Sequence, residues 1–157
     1  FEHNGVIAMN TGYQINTFLE TQLEHYESMK HVVEKQTQFI EVMDIGGLTV
    51  GTSEVRGLMR KIRDIEAALR PHRQGWRNLG LDQPLKEKRR MDELANAIRA
   101  QIEQIQEIKD HNKLLLEKSM EGVRKQMTGL EAGAQATRAY VKRVPIAPAA
   151  RFIDRSN

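Results

Sequence analysis

Apolar side chains recur every three to four residues along most of the chain, the spacing of amphipathic helices rather than strands. In the first such stretch, from about Asn16 to Met43, Leu19, Tyr26, Val33 and Ile40 return every seven residues. Met29 and Met43 share the companion seam with Gln22 and Gln36, and Phe18, Leu23, Val32 and Phe39 widen the stripe. Two glutamines on a bundle seam lower stability in exchange for register or choice of partner. The segment DIGGLTVGTS, with three glycines, breaks the pattern, and Ser53 is the predicted N-cap of a second helix. There Val55, Ile62, Leu69 and Trp76 form one row, with Leu58 and Ile65 beside it. Pro71 predicts a kink or an end near Arg70. Trp76 and Leu79 keep the phase, so a kinked continuation or a short extra turn is expected. GLDQP then makes a turn, with Asp82 as the candidate cap of the next helix.

The third helix is predicted over about Leu85 to Gly133. Met91, Leu94, Ile98, Ile105, Ile108, Asn112 and Leu115 hold one seven-residue repeat, after which the seam slips by one residue onto Leu116, Met120, Val123, Met127 and Leu130. At 1.5 Å per residue this helix would run about 70 Å against about 40 Å for each of the other two. The expected architecture is therefore all-α: an antiparallel three-helix coiled-coil bundle with one overlong C-terminal helix and a flexible tail. The overlong part carries an apolar stripe with no partner in its own chain, which suits an intermolecular partner. The slip at Leu114–Leu116 would mark the change of partner. The other reading of that surface is a seam covered by a second copy of the chain.

This predicts three regions. Residues 1–14 form a disordered arm or one foreign to the native chain, with Met9 a candidate native start. Residues 15–134 form the bundle, and residues 135–157 a flexible tail that binds an intermolecular partner. The tail has two prolines and a net charge of +4 over its last 24 residues, with isolated apolar residues Tyr140, Val141, Val144, Ile146, Phe152 and Ile153. Such a segment builds no core alone and gains order by folding onto a partner or back onto the bundle.

Composition agrees with long helices. Of 157 residues only 5% are aromatic and 29% are charged, a balance typical of a bundle rather than of an α/β enzyme. The absence of cysteine removes disulfides, thiolate metal sites and cysteine nucleophiles, and fits a reducing compartment. No apolar run approaches the ~20 residues a bilayer span needs, and the opening residues lack a signal-peptide pattern. A cytoplasmic protein without membrane insertion is expected.

The net charge of +3 is segregated. Residues 16–54 carry seven acids against two lysines, and residues 56–90 carry eleven Lys/Arg against four acids. An acidic first helix and a basic second one suit antiparallel neighbours. A nucleic-acid footprint in RGLMRKIRD and KEKRR is disfavoured, because the acidic neighbour would neutralise it and no aromatics interleave it for stacking.

Catalytic patterns are missing. His3, His25, His31, His72 and His111 are scattered, no Glu-x-x-His di-iron pair occurs, and Gly46–Gly47 lacks the strand and lysine of a phosphate loop. No metal, cofactor or enzymatic activity is expected. Asn112 stands out as a polar residue on a seam position, either setting register or bonding to a client helix.

The leading LETQLEHYESMKHVVEKQ, the basic EVRGLMRKIRDIEAALRPHRQGW, the closing HNKLLLEKSMEGVRKQM and the tail RAYVKRVPIAPAARFIDRSN together resemble the FlgN-type flagellar type III export chaperones, over nearly the whole chain from about Met9. The resemblance implies a cytoplasmic chaperone without ATPase activity. Its partners would be the hook-associated FlgK/FlgL-type proteins, bound through their C-terminal helices, and the flagellar export apparatus that receives them. The implied client site is the C-terminal part of the chaperone: Asn112, Leu115, Leu116, Met120, Val123, Met127, Leu130, Tyr140, Val144, Ile146, Phe152 and Ile153. The alternative is a non-enzymatic coiled-coil scaffold, homodimeric when free, that self-associates through the same stripe.

Overall fold

The computed structural model describes residues 2–143, and over this range the chain is helical with no strand. Helix α1 spans Glu2–Glu41, α2 spans Ile45–Leu79, and α3 spans Leu85–Arg143. The chain divides into two compact units, Phe1–Leu115 and the part from Leu116 onward.

In the first unit the three helices alternate in direction, as the core pairings show. One cluster joins Ile15 and Leu19 of α1 to Leu69 and Trp76 of α2 and Leu94 and Ile98 of α3. A second joins Met29 and Val33 to Ile62 and Ile105. Numbers rise along α1 and α3 while they fall along α2, and Tyr26 packs against both clusters. The heptad rows expected on all three helices are the buried ones, which is why a thin seam of a dozen apolar residues can organise so long a bundle.

The start of α1 corrects the expectation of a loose arm over residues 1–14. The α1 seam runs back in phase through Ile15 and Gly12 to Ala8, all three buried. Gly12 faces Glu87 and Trp76 so closely that a Cβ on it would lie 2.7 Å from the Glu87 Cβ and 2.9 Å from the Trp76 ring. Beside it the buried Asn16 side-chain amide donates to the Glu87 carbonyl at 3.2 Å. Ala8 and Gly12 sit on the seam because they are small, so hydropathy alone does not register them.

The first connection is likewise tighter than DIGGLTVGTS suggests. Only Val42–Asp44 separate α1 from α2. Met43 takes the left-handed conformation at φ 56°. The Asp44 N–H donates to the Phe39 carbonyl (2.8 Å) and the Met43 N–H to the Ile40 carbonyl (3.1 Å), the Schellman pattern in which glycine usually holds this position. Asp44, not Ser53, caps α2, accepting from the Gly47 N–H at 2.9 Å. The glycines belong to α2 itself. At Gly47 a Cβ would meet the Phe39 ring at 2.6 Å, and at the buried Gly51 it would meet Gln36 at 3.0 Å. They let α2 lie close against α1; they do not end a helix.

Helix α2 also runs through Pro71 to Leu79, in place of a break near Arg70. Pro71 is exposed, while Leu69 and Trp76 on either side are buried in one cluster. Their packing holds the helix together across the missing N–H. Gly80, at φ 52°, ends it. Asp82 falls in a 3-10 turn over Gly80–Asp82 rather than at the cap of α3. The Gln83 amide donates to the Trp76 carbonyl at 2.9 Å, satisfying one of the carbonyls the helix end leaves open.

Candidate functional site

Two buried polar contacts fasten the bundle, one between α1 and α2 and one between α1 and α3. The first lies mid-bundle. The buried Gln22 amide donates to the Glu66 carboxylate at 2.8 Å, and Arg73 donates to the same carboxylate at 2.7 and 3.3 Å. Partial burial pushes the Glu66 pKa up, but the bonds from Gln22 and Arg73 and the charges of Arg73 and Arg70 outweigh it and hold the group below the usual carboxylate range. Tyr26 next to it is raised, by burial first and by the Glu66 charge second. The seam glutamine thus fastens α1 to α2.

The second contact is Asn112. Its side chain is buried, its amide donates to the Val33 carbonyl at 3.0 Å, and its carbonyl accepts from the Thr37 hydroxyl. Of the two roles open to Asn112, these bonds fit the register-setting one, α3 against α1. Leu115, one turn on, is half-buried.

The second unit begins at Leu116. Its helical part runs from Leu116 to Arg143 within α3, beyond the end at Gly133 that the sequence suggests, so residues 135–143 of the expected tail are helix. Gly122, Gly129 and Gly133 have open space where a Cβ would stand. Side chains 120–142 are all exposed. Leu116, Met120, Val123, Met127 and Leu130 are 36–73% exposed, and Tyr140 and Val141 are exposed as well. The predicted residues Val144, Ile146, Phe152 and Ile153 lie outside the described residues.

Spacings of four and three residues link Leu116, Met120, Val123, Met127, Leu130, Ala134, Thr137 and Val141 into one stripe of eight positions. Its edges differ in chemistry. One carries Glu117, Arg124, Glu131 and Arg138; the other carries Ser119, Gln126, Gly133 and Tyr140. Lys125 and Glu121, on the far side, pair with each other at 3.3 Å. An exposed apolar stripe bordered by charge is suited to receiving another helix. Among the described residues no three or more His, Cys, Asp or Glu side chains gather to hold a metal, and no helix is long and apolar enough to cross a membrane.

The class the fold defines is a long antiparallel helical bundle, closed over its first unit, and the helix of the second unit carries an exposed apolar stripe. The FlgN protein family model matches residues 9–143. The chain belongs to that family, and membership suggests a flagellar export chaperone. No curated protein and no solved structure matches it.

Proposed function

We propose that the protein is a cytoplasmic, non-enzymatic chaperone that holds the C-terminal helices of FlgK/FlgL-type hook-filament junction proteins before type III export. The single observation that carries the reading is the solvated stripe from Leu116 to Val141 in a chain of the FlgN family. An amphipathic client helix laid along it would cover Leu116, Met120, Val123, Met127 and Leu130, with Tyr140 and the tail residues Val144, Ile146, Phe152 and Ile153 extending the contact. Leu115, half-buried, would border it. A client so covered would be kept from premature polymerisation.

Calorimetric titration with the C-terminal helical segment of a FlgK-type protein from the same source tests this. The expected result is one-to-one binding with a negative heat-capacity change, as burial of apolar surface requires. Replacing Met120 and Met127 with Asp should abolish binding while the helical circular dichroism and melting temperature hold. Absence of heat at any temperature rejects the reading, and loss of folding in the double variant would make the stripe part of a core.

A further inference from the structure

The charges along the stripe specify one way for it to meet a second copy of itself. When two helices pair antiparallel, residue x of one copy lies level with residue S − x of the other, where S is a constant that sets the register. Taking S as 257 puts Leu116 against Val141, Met120 against Thr137, Val123 against Ala134 and Met127 against Leu130, each layer occurring twice. All eight stripe positions are then covered, and the longer side chains of the outer layers face shorter ones.

In that register the charged edges of the two copies run alongside each other. Glu117 of one copy stands beside Arg138 of the other, and Arg124 beside Glu131, again each twice. The members of each pair are offset along the axis by about two residues, roughly 3 Å. All four contacts join opposite charges.

A slide of two heptads keeps two contacts between opposite charges but covers only four of the eight stripe positions, and the remaining arrangements lose the match. Sliding one copy by a heptad in one direction places Glu117 beside Glu131 and Arg124 beside its own counterpart. Sliding it the other way places Arg124 beside Arg138 and Glu131 beside its counterpart. A parallel pair sets the charged edge against Ser119, Gln126 and Gly133 and gains no ion pair. The four edge charges are exposed and form no ion pair within the chain among the described residues.

We propose that the free protein pairs with a second copy of itself through the helix from Leu116 to Val141, antiparallel and in this register. The inference goes beyond the chaperone reading and does not depend on it, since it concerns the stripe before any client arrives. Thr137 and Ala134 in the layers, and Gly133 at the edge, make the seam shallow, so the pairing is weak and reversible, and a longer apolar client helix would displace it.

The test uses the full chain. Sedimentation equilibrium should show monomer and dimer exchanging, with the dimer weakened by salt because its edge pairs are solvated. Arg124→Glu should weaken the dimer by about tenfold or more, since two attractive contacts become repulsive. Adding Glu131→Arg to that variant should restore it to within about threefold, because the swap recreates both contacts. A swap that restores nothing overturns the proposal, as does a monomer at all concentrations.

The lack of native cysteine allows an independent check of register. Met120→Cys and Thr137→Cys proteins, mixed and oxidised, should give the mixed disulfide in preference to either homodimer. Met120→Cys joined chiefly to itself would mean a parallel pair and would also overturn the proposal. None of these outcomes depends on client titration, so the two readings can fail separately.

Discussion

Asn112 is where the register argument can be made quantitative. Replacing it with Ala removes one bond to the Val33 carbonyl and one from the Thr37 hydroxyl. At about 0.5–1.5 kcal/mol each, the loss is about 1–3 kcal/mol. Neither partner is stranded: Val33 is inside α1, where its carbonyl accepts the helical backbone bond, and once Asn112 is gone the single Thr37 hydroxyl proton turns to that carbonyl, 3.3 Å away. Asn112→Leu should therefore behave differently from Asn112→Ala. It forfeits the same two bonds but puts an apolar group of similar length on a buried seam position, where full burial of a leucine contributes about 1.5–3 kcal/mol. For a unit of this size, 1 kcal/mol moves the melting temperature by very roughly 3–5 °C. Thermal denaturation should show Asn112→Ala several degrees below the parent and Asn112→Leu at or above it. Client binding by calorimetry should be unchanged in Asn112→Leu. If Leu destabilises as much as Ala, the Asn112 bonds do more than set register. If Leu folds normally and loses the client, Asn112 belongs to the client surface and the assignment to the bundle fails.

Other outcomes follow from the same packing. Leu69→Ala, at a wholly buried position, should cost about 2–5 kcal/mol in denaturant unfolding. Met43→Gly should raise stability by about 1 kcal/mol by relieving a left-handed non-glycine residue; no gain would mean that the Met43 side chain contributes packing of its own. Gly12→Leu should lower the melting temperature sharply, because its side chain would meet Glu87 and Trp76, whereas the same change at Gly122, which has open space, should leave it unchanged or raised. The depressed Glu66 pKa has a definite sign: its contribution is present above the ordinary carboxylate pKa and fades as pH falls through the folded value. Glu66→Gln should accordingly flatten the acid side of the stability–pH curve below about pH 4.5, and an unchanged curve would exclude the Gln22–Glu66–Arg73 contact as its source.

The chain's periodicity alone determined its three helices, the rows they bury, the one-residue slip of the seam after Leu115 and the stripe that follows it. All of these are repeats along a single helix, legible wherever side chains at three- and four-residue spacing share a face. Tertiary structure decided what depends on a missing side chain or on a distant partner. Ala8 and Gly12 make the first turns of α1 a packed helix because Trp76 and Glu87, far away in sequence, need the space. Gly47 and Gly51 read as a loop until Phe39 and Gln36 lie against them, and Pro71 reads as a break until Leu69 and Trp76 are buried on either side of it. Asn112 carried two roles in the sequence, and the Val33 carbonyl and the Thr37 hydroxyl favour one of them. A close approach between helices is a property of the pair, so the residue that permits it shows itself only when both helices are in place.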